Sequence, residues 1–263
     1  MKNFLPVIKN EILIIKKELK KLDYQTIIIF LSILILQTFS FYYSRKKFFR
    51  ENFTSFFLDS NYLTFYEQIY CLLLDFVIFF VIPLLIIKFL FKQKLVVYGI
   101  NFSNKPIGLK IALITIAIML PVVWVISSLL SFQATYPHAN MVRDSWTLFI
   151  IYEICLILYL FAWEFIWRGF VLFGIEKIFG FYAIFIQMIP FTILHNGKPA
   201  LETFSSILAG FFLGLLAIRT RSILYGVLVH IAVMFMIDFI SILRYKTEVF
   251  GIGFNSIIDM LKL

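Results

Sequence analysis

Long apolar runs separated by short polar stretches make up most of the chain, and run length decides what they are. A helix crosses a bilayer with about 20 mostly apolar residues. Seven runs qualify as candidates: Tyr24–Tyr43, Ile69–Phe91, Ile111–Phe132, Leu148–Glu176, Tyr182–His195, Leu201–Ile218 and Ser222–Leu243. The fourth is longer than a crossing needs. The fifth is short, and Pro190 interrupts its hydrogen-bond ladder. No internal repeat or low-complexity linker divides the chain. The pattern predicts an all-α polytopic membrane bundle of about seven transmembrane helices. Its parts are a basic N-terminal segment (1–23), N-terminal transmembrane helices (24–147), a helical core (148–243) and a C-terminal tail (244–263).

Composition narrows this further. The chain is 62% hydrophobic and 15% charged, with 33 Phe, whereas a soluble domain is about half apolar and roughly a quarter charged. That excludes a soluble enzyme, a disordered chain, a collagen-like chain and a disulfide scaffold. Cys71 and Cys155 both sit in apolar runs, so neither a disulfide framework nor a thiolate metal site is expected. The net charge of +9 fits basic residues that flank membrane spans and meet anionic headgroups. Membrane lipid is therefore the expected partner, and no nucleic acid.

Lys2, Lys9, Lys16, Lys17, Lys20 and Lys21 precede a run long enough to span. A signal peptide carries only about 7–15 apolar residues after its basic region, so a retained anchor is expected. Asn10 to Lys21 reads as a basic amphipathic helix on the inner surface, and Phe250–Leu263 as an interfacial tail. More of the 24 Lys and Arg lie on the N-terminal side of the spans, which favours the N-terminus inside. The cluster Arg45, Lys46, Lys47 and Arg50 opposes that orientation.

Charged groups inside a span are costly and are functional candidates. Here they are Asp75, Glu153, Glu164, Arg168, His195, Glu202, His230 and Asp238. Glu164 and Arg168 are four apart and share a helix face. They form either a self-neutralising ion pair or a carboxylate held ionised and oriented by its arginine. His195 precedes Asn196-Gly197-Lys198-Pro199, which breaks a helix. Irregular backbone at membrane depth needs surrounding protein or a wet cavity. Counted from the turn at Lys177–Phe181, Glu164 and His195 stand about 18–20 Å deep, Glu202 and Asp238 about 24 Å, and His230 about 12 Å. Glu164, His195, Glu202 and Asp238 are thus expected in one buried layer, with His230 lower. Asp75 reads as a partner for a buried polar group and Glu153 as near the outer interface, neither in the site.

The residues also carry a family resemblance. Trp163-Glu164-Phe165-Ile166-Trp167-Arg168-Gly169 resembles the first motif, E-E-x-x-x-R, of the CPBP family (CAAX protease and bacteriocin-processing, also called Abi). That family joins the type II CAAX prenyl endopeptidases with bacterial bacteriocin-processing and immunity relatives. Phe191-Thr192-Ile193-Leu194-His195 is similar to its second motif, F-x-x-x-H, and His230 to the histidine of the third, H-x-x-x-N. Arg219-Thr220-Arg221-Ser222 is similar to the family's approach to that histidine. The chain departs at two positions. Trp163 replaces the first glutamate, the family's usual water activator, and Met234 holds the Asn position. Asp238 lies one turn further, about 12 Å along the axis from His230, too far to share one atom easily.

The resemblance implies an intramembrane endopeptidase that hydrolyses a peptide bond of a membrane-associated or lipidated protein or peptide. Glu164 would be its base, His195 would hold the water, His230 would donate to the oxyanion, and Arg168 would fix Glu164. Glu202 and Asp238 would support them. His195, His230 and Glu164 also make a zinc set with an open position, although H-E-x-x-H is absent, and a metal-free glutamate/histidine mechanism fits equally. The location implied is a bacterial cytoplasmic membrane. The alternatives are a catalytically inactive scaffold or bacteriocin-immunity protein on the same fold, or a small transporter, for which the usual inverted repeats are missing.

Overall fold

The computed structural model describes residues 4–57 and 62–260. Lys2 and the last three residues of the expected interfacial tail lie outside them. The protein is 83% helical, and the described residues contain no strand. In chain order the α-helices are α1 (Phe4–Leu19), α2 (Tyr24–Tyr43), α3 (Lys46–Phe53), α4 (Leu63–Phe76), α5 (Ile82–Leu85), α6 (Lys105–Ile126) and α7 (Leu130–Thr135). They continue with α8 (Trp146–Glu164), α9 (Gly174–Phe179), α10 (Tyr182–Ile193), α11 (Ala200–Thr220), α12 (Leu224–Thr247) and α13 (Phe254–Met260).

π-helical turns fuse some of these into longer rods. Val77–Val81 and Ile86–Phe91 extend α4 and α5 into one rod, and Phe165–Phe173 joins α8 to α9. Six rods are then long and apolar enough to cross a membrane: Tyr24–Tyr43, Leu63–Phe91, Lys105–Ile126, Trp146–Phe179, Ala200–Thr220 and Leu224–Thr247. The chain is an integral membrane protein. The expected seventh crossing is α10, which has 12 residues. It reaches about 18 Å of a hydrocarbon core about 30 Å thick. It stops because the chain turns at Leu194–Pro199, where Gly197 takes φ +94°.

Local chemistry sets where the rods begin. Asp23 caps α2, its Oδ2 accepting from the Thr26 amide and the Thr26 hydroxyl, each at 2.8 Å. Ser145 caps α8 by accepting from the Leu148 amide at 3.4 Å. The α8–α9 rod is central, with 61% of its most apolar stretch buried inside the protein. It packs on α4, α10 and α12, while α12 also packs along α6 and α10 along α11. Lipid tails are as apolar as leucine, so close packing and polar ties hold such helices together. Gln187 supplies one tie, its Nε2 donating to the Gly210 carbonyl at 2.9 Å across α10 and α11. At the end of the bundle where α2 begins, Gln25 Nε2 donates to the Gly174 carbonyl at 2.8 Å. The helix expected at Asn10–Lys21 is α1, which begins earlier and whose residues from Val7 onward are exposed.

Candidate active site

Glu164 is the last α-helical residue of α8, and Arg168 follows one turn later inside the π-helical segment. Such segments are frequent at functional sites, and here all nine of their residues are buried. Arg168 Nη1 donates to Glu164 Oε1 at 3.0 Å. Its guanidinium carbon stands 4.2 Å from the centre of the Phe191 ring, so a ring face supplies part of its solvation. Arg168 is 1% exposed and Glu164 0%.

His230 comes from α12, which runs antiparallel to α8. Its Nδ1 lies 2.8 Å from Glu164 Oε1. Glu164 Oε2 has no hydrogen-bond partner among the described residues and lies against Gly226, one turn before His230. A Cβ at Gly226 would come within 3.3 Å of that oxygen, so glycine leaves the carboxylate its room. His195 sits just past α10, and its Nδ1 is 2.7 Å from the Phe191 carbonyl. A carbonyl only accepts, so Nδ1 of His195 carries the proton and Nε2 carries a lone pair. A carboxylate facing Nδ1 of His230 selects the same tautomer there.

Both histidines and Trp163 line a cavity of about 440 Å³. Leu156, Leu160 and Met234 are also on its wall, and Ser44, Arg45, Lys46, His138 and Lys198 line it as well. Glu164 does not reach it, and its contact with the cavity is through His230. Among the described residues the only carboxylate on the wall is Asp75, whose Oδ1 accepts from Ser40 at 2.7 Å. In the sequence Asp75 reads as a residue on another face or at another depth, outside the site. Its position inside a long apolar run was the available signal.

The remaining candidates fall elsewhere. Glu202 accepts from Lys198 Nζ at 2.7 Å and from the Tyr136 hydroxyl at 2.5 Å, one step behind the wall. Asp238 is fully buried and faces Glu153, not the histidines. Glu153 is itself buried and faces Asp238 of α12. In place of one layer of four groups there are separate clusters at Glu164–His230, at Lys198–Glu202 and at Glu153–Asp238. His138, in the loop before α8, has its imidazole pushed down to about 4 by burial and by the nearby Lys198 ammonium.

Donor chemistry tests the zinc set. Among the described residues, Glu164 Oε1 holds Arg168 and His230 while Oε2 is free, and His195 Nδ1 faces a carbonyl while Nε2 is free. Among the described residues no group of three or more His, Cys, Asp and Glu side chains is placed to hold a metal ion. No step below passes through a metal.

Residues 144–236 match the family model described as Type II CAAX prenyl endopeptidase Rce1-like. The matched segment contains Glu164, Arg168, His195, Glu202 and His230, so the resemblance to the CPBP family of CAAX proteases holds over α8 to α12. The match supports a CAAX intramembrane protease kind of function. No curated protein and no solved structure matches the chain.

Proposed function

We propose that this protein hydrolyses a peptide bond of a membrane-associated or lipidated protein or peptide inside the cavity lined by His195 and His230. The observation that carries this reading is the 2.8 Å contact that aims a buried, arginine-held carboxylate at a cavity-facing imidazole. Glu164 acts through His230. It accepts from Nδ1–H and leaves Nε2 of His230 as the base that removes a proton from water. His195 Nε2 accepts the other hydrogen of that water and orients it. The protonated His230, stabilised by Glu164, then returns the proton to the leaving amine. Asp75 is the carboxylate on the same wall that can share this traffic. The site sits in a bacterial cytoplasmic membrane with the N-terminus inside, as the Lys and Arg distribution favours.

Cleavage of a peptide library by the purified protein in bilayers tests this, with His230→Gln as the comparison. Wild-type cleavage is expected to fall by about 10²–10⁴-fold in the variant, and to survive chelators. A second reading has its own support. Trp163 replaces the carboxylate expected beside Glu164 and packs edge-on against Phe79 and Trp167, with ring centres 5.9 and 5.7 Å away. That wall position is aromatic and supplies no carboxylate, which favours a non-catalytic scaffold or immunity protein. Absence of cleavage by a folded wild type, with biological protection retained in His230→Gln, establishes that reading instead.

A further inference from the structure

The Glu164–His230 contact sets the register of the antiparallel pair α8 and α12. Stepping away from it, Met234 comes opposite Leu160, Asp238 opposite Leu156, and Ser241 opposite Glu153. A second polar cluster therefore lies on the same two helices, eight residues from His230 along α12, or about 12 Å. Asp238 faces the Glu153 carboxylate and the Tyr152 hydroxyl. Exposure is 0% for Asp238 and Tyr152, 4% for Ser241 and 6% for Glu153.

Five oxygens of these four residues have no hydrogen-bond partner in good geometry among the described residues: both of Asp238, Oε1 of Glu153, the Tyr152 hydroxyl and Oγ of Ser241. None of the ion pairs among the described residues engages either carboxylate. Two acids facing each other in a membrane interior repel, and orphaned buried oxygens are costly. The acids alone do not define a ligand. The Tyr152 hydroxyl does, because it is buried, unpartnered and faces Asp238, and the register brings the buried, unpartnered Ser241 hydroxyl opposite Glu153. Five oxygens with no nitrogen or sulfur match a hard cation.

We propose that Glu153, Asp238, Tyr152 and Ser241 form a buried, oxygen-only site for a hard cation of sodium or calcium size. The cavity gives it an entrance. Leu156 and Met234 are on the cavity wall, each within a turn of the cluster on its own helix, about 5–6 Å along the axis. An ion there neutralises the acids and ties α8 to α12 on the rods that carry Glu164 and His230. Selectivity is for Na⁺ or Ca²⁺ over Mg²⁺, which dehydrates reluctantly.

The test uses the full chain in bilayer discs and reads the thermal unfolding midpoint, not cleavage, so it is independent of the proposed protease activity. NaCl and CaCl₂ are titrated separately against N-methylglucamine chloride at equal ionic strength. Wild type is expected to show a saturable rise of several degrees with at least one of the two ions, as binding to the folded state requires. Asp238→Asn is expected to lose that rise. Ser241→Ala, which keeps both carboxylates and serves if Asp238→Asn does not fold, is expected to need about tenfold more ion. Glu164→Gln is expected to keep the rise. A wild-type midpoint indifferent to both ions overturns the proposal. If that midpoint instead climbs on acidification, a shared proton fills the pair.

Discussion

At the residue scale the site divides into groups that touch the cavity and groups that hold them. Glu164 and Arg168 are both buried, and removing one partner of such a pair costs about 3–5 kcal/mol because the other is left charged and alone. His230 is partly exposed, at 16%, and its loss leaves the pair intact. Glu164→Gln is therefore expected to lose cleavage and also melt many degrees lower, whereas His230→Gln loses cleavage with little change in melting. A Glu164→Gln protein that melts like wild type contradicts the buried ion pair. His138 gives a separate pH signature. Its folded value of about 4 lies below the unfolded value of about 6.5, so the unfolded state binds the extra proton. Its share of stability is present above pH 6.5 and is lost as pH falls toward 4. Denaturant melts across that window are expected to flatten in His138→Gln. The four-residue spacing exposed the Glu164–Arg168 pair in the sequence. Only the family resemblance grouped Glu164 with His230, and the Glu153–Asp238 contact was not legible, because each joins α8 to α12 through a register that spacing within one helix does not encode.

At the scale of elements, run length and capping residues carried most of the information. Six crossings were legible because about 20 apolar residues have no other comfortable place. Their ends moved by several residues where polar residues also fit a helix: α6 begins at Lys105 and the second rod at Leu63. The seventh run is the informative difference. The helix α10 runs through Pro190 and is ended by the Asn196-Gly197-Lys198-Pro199 turn, which brings Leu194, His195 and Lys198 to the cavity wall. The π-helical stretch after Glu164 had no sequence signal, since it depends on packing around Arg168 and Gly169. Capping offers a direct check. Asp23→Ala removes both bonds to Thr26 and is expected to destabilise the first crossing by about 1 kcal/mol. The readout is a lower unfolding midpoint with cleavage per folded molecule unchanged.

For the whole molecule, the open question of orientation becomes one of where the cavity faces. The start of α2 and Gly174 of α9 share one end of the bundle through Gln25. Ser44, Arg45 and Lys46, just beyond the far end of α2, line the cavity. The loop carrying His138 and the turn carrying Lys198 line the same cavity, so its mouth lies at the end away from the N-terminus. The basic cluster that opposed the N-in reading thus borders the cavity mouth, with Lys46 donating to the His138 carbonyl at 3.3 Å. Residues that serve a site need not report topology, which weakens their vote in a count of flanking charges. With the N-terminus inside, the cavity opens to the outer side. Single cysteines in a background lacking Cys71 and Cys155 decide it. Lys47→Cys, exposed beside the mouth, is expected to react with an impermeant maleimide added to intact cells. Lys92→Cys, exposed at the opposite end, is expected to react only after lysis. The reversed labelling pattern places the mouth and its substrate on the inner side, and the N-terminus outside.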